Sequence, residues 1–178
     1  IFAGIIEAYG DRGKKLFGGR YGVIYYNKGF AELKIAAELE RLGGEENLGK
    51  AVDYYNLANE SFENCYKTPS DSKGKNAYHK KALLYKGQAL QALEQYEEAI
   101  ANYQLAIKLN PKHKEAIKNE SMVRLALGDF EIGWKKYEAR LEENIKIPMV
   151  YGNEKKWDGN YFNGTLLVWG EQGIGDHI

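Results

Sequence analysis

The chain has 178 residues, with 25 Lys and Arg against 25 Asp and Glu and a formal net charge of zero at pH 7. A neutral chain of this size argues against a dedicated nucleic-acid binder, which carries a basic excess on one face. With 44% hydrophobic residues and three prolines it also argues against a disordered tail. The balance holds locally: residues 1–74 carry 10 basic and 11 acidic side chains, 75–146 carry 13 and 10, and 147–178 carry 2 and 4. Such even mixing implies that selectivity comes from local contacts and not from a long-range field. The single cysteine, Cys65, cannot form an internal disulfide and points to a reducing compartment, which reads as cytoplasmic. No run reaches the roughly 18 uncharged apolar residues of a membrane span.

Residues 1–20 open on an apolar but short segment without an initiator Met, read as a partial helix of an earlier structural unit. The reading that follows is a set of helical hairpins over 21–146, at about 21–66, 78–111 and 114–141. In the first, Gly29 lies in a long helix predicted to end at Leu42 before Gly43-Gly44. Its partner carries Ala51, Tyr55 and Ala58 and runs on to Tyr66, before a loop at Thr68-Pro69-Ser70-Asp71-Ser72. Gly29 to Ala51 spans 22 positions, about ten more than the matching interval downstream.

The second hairpin has the clearest pattern. Leu83, Gly87, Leu90 and Leu93 fall on one helical face, and Ala99, Ile100, Tyr103, Ala106, Ile107 and Leu109 recur in helical register. Glu94-Gln95-Tyr96 forms the corner and Asn110-Pro111 stops the second helix. One period later Leu127-Gly128-Asp129-Phe130 repeats the corner, with Phe130 34 residues after Tyr96. Gly133 then stands for Ala99 and Tyr137 for Tyr103, while Arg140 replaces a small residue, as in a modified hairpin that closes an array.

These residues resemble the tetratricopeptide repeat: the small Gly87 where helices cross, the aromatic Tyr96 at the corner, the triplet Ala99, Tyr103 and Ala106, and the final Pro111. The resemblance implies an all-α, right-handed solenoid of helical hairpins, working as a protein–protein interaction scaffold. The first helices then line a concave groove that holds a peptide or protein partner. Its lining is expected to be Lys81, Leu84, Gln88, Gln91 and Ala92, then Glu115, Lys118, Met122, Leu125 and Ala126. The basic clamp that some relatives use for acidic tails is absent, because Leu84 and Gln88, then Glu115 and Asn119, stand at its positions.

Elsewhere the bland reading prevails. Lys80-Lys81 and Lys112-His113-Lys114 read as solvated charge clusters, and the Tyr25-Tyr26 and Tyr54-Tyr55 pairs as half core and half rim. His79 and His113 have no second ligand at metal spacing, and no cofactor is implied. Cys65 reads as a structural thiol.

After Pro148 the pattern changes, and residues 147–178 read as a linker followed by a short strand. Trp157-Asp158-Gly159 and Asn163-Gly164 are turn signals, and Thr165–Trp169 is a short apolar run typical of a buried strand. A Gly-rich loop follows, Gly170 to Asp176. With Phe130 to Arg140 upstream, this order resembles a bacterial arrangement in which tetratricopeptide repeats run into a glycosyltransferase-like domain akin to the heptosyltransferases. That resemblance implies Gly173 and Gly175 shaping a phosphate or sugar-nucleotide loop, and Asp176 in the active site. One strand cannot build such a domain, so the chain is expected to be cut at both ends and catalytically inert. The strand would then fold back or pair with a second chain.

Overall fold

The computed structural model describes residues 19–68, 77–138, 160, 161, 163 and 164. The chain divides into two units, Ile1–Arg140 and Leu141–Ile178. Among the described residues the first unit is entirely helical. Its helices are α1 (Gly19–Leu42), α2 (Glu45–Lys67), α3 (Ala77–Ala92), α4 (Tyr96–Leu109), α5 (Lys114–Ala126) and α6 (Phe130–Tyr137). In the second unit a bend falls at the expected Asn163-Gly164, and the strand predicted at Thr165–Trp169 lies outside the described residues.

The helices pack as three successive antiparallel hairpins, α1/α2, α3/α4 and α5/α6. Each second helix also packs against the first helix of the next hairpin. The first helices touch in sequence, α1 to α3 and α3 to α5, whereas α2, α4 and α6 do not touch one another. A stack whose alternate helices meet only on one side curves toward that side, which makes the face of α1, α3 and α5 the inner one.

The corners show why the repeat has a period of 34. Glu94 adopts a left-handed conformation, φ 59°, and Gly128, 34 positions later, adopts φ 80°. In both corners the backbone closes the same way. The Glu94 and Gln95 amides donate to the carbonyls of Gln91 and Leu90, and those of Gly128 and Asp129 donate to Leu125 and Arg124. The Asp129 side chain then caps α6 by accepting from the Ile132 amide at 3.4 Å.

Each hairpin is held where its helices cross. A Cβ built on Gly87 would lie 2.5 Å from the Tyr103 ring, and one on Gly29 would lie 3.0 Å from the Phe62 ring. This corrects the register read from sequence. Gly29 faces Phe62 and Ser61, so the small–aromatic–small triplet of the first hairpin is Ala58, Phe62 and Cys65, all fully buried. The proposed Ala51, Tyr55 and Ala58 are the same pattern two turns earlier, a heptad ambiguity that sequence spacing alone could not resolve. Gly29 to Phe62 spans 33 positions and Gly87 to Tyr103 spans 16, so the insertion is 17 residues and not ten. It lies in both helices, and extends the α1/α2 hairpin by roughly 12–15 Å beyond its neighbour, at 1.5 Å per residue. Within the extension Ala36, Ala51 and Tyr55 are buried, and the Tyr55 hydroxyl donates to Glu40 at 2.6 Å.

Two apolar clusters result, one built on Tyr21, Ala58 and Phe62, the other on Leu83, Tyr103 and Val123. The tyrosine pairs divide as expected, Tyr25 and Tyr55 in the core, Tyr26 and Tyr54 half-buried. Leu109 differs: its place at the last residue of α4 leaves it exposed.

Candidate functional site

The inner face of α3 and α5 carries most of the side chains that sequence spacing had assigned to a groove. Lys81, Ala92, Glu115, Lys118, Met122 and Ala126 are exposed, and Gln88, Gln91 and Leu125 are half-buried. Gln88 Nε2 donates to Glu115 Oε1 at 3.3 Å, so the two helices present one continuous polar seam. Met122 is 44% exposed, beside Lys118 one turn earlier on the same helix. Because α5 has no apolar neighbour over Met122, a hydrophobic side chain of a ligand would find water to displace there.

Three of the assigned residues do other work. Leu84 is only 2% exposed and packs inside the second apolar cluster, so it is a core residue and does not line the groove. Its helical position is correct, but α3 is sandwiched between α1, α4 and α5, and that packing closes over it. The Gln91 amide oxygen accepts a 2.9 Å hydrogen bond from the Tyr103 hydroxyl, which ties it to the hairpin interior. Leu125 packs against Gly133, where an added Cβ would lie 2.7 Å from its Cδ2. Gly133 is therefore required by close approach, which explains a glycine in the place of Ala99.

Spacing missed an aromatic junction. Tyr26 and Phe30 of α1, Phe62 of α2, and Tyr78 and Tyr85 of α3 form a chain of ring contacts with centroids 5.2–6.3 Å apart. Lys34 Nζ lies 5.4 Å from the Phe30 centroid. Burial first, and then Tyr85, pushes the Tyr26 hydroxyl up to about 12. The signal was present: Gly29 aligned with Gly87 puts Tyr26 and Phe30 at the positions of Leu84 and Gln88.

Spacing also missed a buried carboxylate. Glu120 of α5 is fully buried and accepts from Gln104 Nε2 of α4 (3.2 Å), Arg124 Nε of α5 (2.8 Å) and Lys136 Nζ of α6 (2.6 Å). Arg124 Nη1 also donates to Asp129 at the corner, at 2.6 Å. Three helices are thus joined through one side chain, a structural bond between hairpins.

Cys65 is buried, and that burial, opposed in part by a hydrogen bond from the Tyr26 backbone, raises its thiol from near 9 to about 12. A thiol is a nucleophile only as the thiolate, so the folded chain should resist iodoacetamide at pH 8 and react once unfolded in urea. The sign follows for stability. The neutral thiol is shared by both states below about 9. Above that the unfolded chain ionises and the folded one does not until about 12. Stability should therefore fall as pH rises through that window, by up to about 1.4 kcal/mol per pH unit. Equal alkylation of native and unfolded chain at pH 8 would refute the assignment.

His79 Nε2 donates to the Thr68 carbonyl at 3.0 Å and its ring meets Tyr66 edge-on, and His113 precedes α5. No group of three or more His, Cys, Asp or Glu suited to a metal occurs among the described residues. Gly173, Gly175 and Asp176 lie outside the described residues. No described helix is long and apolar enough to cross a membrane.

Residues 81–113 match the tetratricopeptide repeat family. That interval takes in α3 from Lys81 onward and all of α4, the hairpin of Gly87, Tyr103 and their corner. Among curated proteins none matches the chain.

Proposed function

We propose that the chain is a protein–protein interaction scaffold, holding a peptide or protein segment against the inner face of α3 and α5. The observation that carries this reading is the Gln88–Glu115 seam, which joins the two helices into one surface with exposed Met122 and Lys118 on it. The tetratricopeptide repeat at 81–113 supports it, since such repeats serve protein interaction. An extended ligand would lay apolar side chains at Met122 and hydrogen-bond to Gln88, while Lys81 and Lys118 meet its carboxylates.

Selection of a random peptide library on the folded chain tests this. Selected peptides should lose affinity at least ten-fold for Met122→Asp and keep it for Leu57→Asp, an exposed position on α2. Selection of no peptide, or equal binding to both variants, would refute the groove.

A second reading rests on the order of Trp157-Asp158-Gly159 and the run from Leu166 to Asp176. In it the helical array recruits an acceptor for a glycosyltransferase-like unit, with Asp176 as its candidate catalytic residue. An encoding transcript that continues past Ile178 into a complete domain would support it, and a stop codon there would remove it.

A further inference from the structure

The antiparallel hairpins sort the charges of this neutral chain by end. At the corner end lie Glu45 and Glu46 in the first turn of α2, Glu97 and Glu98 in that of α4, Glu131 in that of α6, and Glu94 between α3 and α4. At the opposite end, α2 and α4 finish and α3 and α5 begin. There stand Lys67, Lys80, Lys81, Lys108, Lys112 and Lys114, with Lys118 one turn further, against the two acids Glu63 and Glu115. Some cations at each end are held by their own helices, Arg41 by Glu38 and Lys50 by Glu46 at the corner end and Lys67 by Glu63 at the other.

Helix dipoles explain only part of this pattern. Glutamates in first turns and lysines in last turns, such as Lys67 and Lys108, are favourable. Lys80 in the first turn of α3, where no acid stands, faces the wrong end of the dipole, whereas the first turn of α5 carries Glu115 next to Lys114. Lys80 therefore weakens its helix, and with Lys81, Lys108 and Lys112 exposed around it calls for another reason. The same end is amphipathic. On α4, Leu105, Lys108 and Leu109 follow helical spacing on one side, with Leu105 and Leu109 41% and 45% exposed, and Lys112 stands in the turn after the helix. Tyr66 is exposed beside Lys67 at the end of α2.

We propose that this end of the solenoid docks peripherally on an anionic lipid bilayer. Lysine ammonium groups meet lipid phosphates, while Leu105, Leu109 and Tyr66 reach the headgroup boundary. The exposed leucines favour a bilayer over a nucleic acid, whose backbone needs only the cations and offers Leu105 and Leu109 no apolar partner. An acidic protein surface is disfavoured because isolated exposed ion pairs each contribute little, whereas a charged bilayer attracts every lysine near it. Docked in this way, the acidic corner end points to solvent and the inner face of α3 and α5 stays open. The lysines needed, Lys80, Lys108 and Lys112, are separate from the groove.

Flotation of the whole chain with vesicles tests the proposal. Binding is expected to phosphatidylcholine vesicles containing 30% phosphatidylglycerol and to be lost in pure phosphatidylcholine or at high salt, where the Debye length falls to about 3 Å. The combined variant Lys80→Gln, Lys108→Gln, Lys112→Gln should lower the partition coefficient roughly 100-fold, at about five-fold per lysine. Leu109→Ser should lower it by a smaller factor, and Met122→Asp, which tests the groove, should leave it unchanged. Circular dichroism of the lysine variant should match that of the parent. Equal binding to neutral vesicles, no binding to anionic ones, or capture of single-stranded RNA without vesicle binding would each overturn the proposal.

Discussion

Replacing Tyr103 with alanine is expected to lower the unfolding free energy by about 3–5 kcal/mol, the range for a large buried aromatic. The ring is fully buried, touches the backbone of α3 at Gly87, and its hydroxyl donates to Gln91. Tyr103→Phe removes only that hydrogen bond and should cost about 1 kcal/mol. The partner change is more informative. Gly87→Ala gains about 1 kcal/mol of helix propensity. It also places a Cβ 2.5 Å from the ring of Tyr103, an overlap no flexible side-chain end relieves. Overpacking of this kind costs about 1–3 kcal/mol, so the net effect is a loss. With Tyr103 already alanine the clash is gone and the same substitution should become stabilising. Urea denaturation of the two single variants and the double variant measures this coupling. Strict additivity would show that the crossing is not the clamp described.

Breaking the Glu120 cluster is the second large effect. Glu120→Ala removes the acceptor shared by Gln104, Arg124 and Lys136; it strands Lys136 and leaves Arg124 only its bond to Asp129. Loss of one partner from a buried ion pair costs about 3–5 kcal/mol. Arg124 and Lys136 retain some exposure, so the lower part of that range is expected. The cluster ties α6 to α4 and α5, so the loss should be local. Amide exchange should accelerate first in α6, while α3 and α4 stay protected. A combined Glu120→Met, Arg124→Leu, Lys136→Met variant should recover most of the stability, because the desolvation cost of the charges goes with their attraction. Exchange that accelerates uniformly along the chain would contradict a brace confined to the third hairpin.

The helical pairing was legible in the residues because it rests on local physics. Gly43-Gly44, Glu94-Gln95-Tyr96 and Leu127-Gly128-Asp129-Phe130 read as corners from backbone preference, and the helices break there, except that Tyr96 and Phe130 are already the first residues of α4 and α6. The crossing of α3 and α4 was equally readable, since Gly87 and Tyr103 sit in a hairpin with a short connection that permits one register. The first hairpin was not. Its long helices carry the same small–aromatic–small spacing twice, at Ala51 to Ala58 and at Ala58 to Cys65, and only the packed pair shows Gly29 against Phe62.

Exposure was half readable for a similar reason. Periodicity gives the direction of a side chain on its own helix, and Glu115 and Met122 are exposed and Gln88 half-buried as that direction implies. It says nothing of what a third helix covers, and α3 has neighbours on three sides, which buries Leu84. Glu120 was invisible because a glutamate in an amphipathic helix normally faces water. Its burial depends on cations delivered from its own helix and from α6.

Charge shows the same division most plainly. The sequence by itself determined the zero total and the even mixture along the chain. Linear order cannot say which residues share an end, because antiparallel helices bring positions 15 to 40 apart together. The tertiary structure decided that Lys67, Lys80, Lys81, Lys108, Lys112 and Lys114 gather at one end and Glu45, Glu46, Glu94, Glu97, Glu98 and Glu131 at the other. A chain that looked free of any directed field therefore folds into one with a basic end and an acidic end.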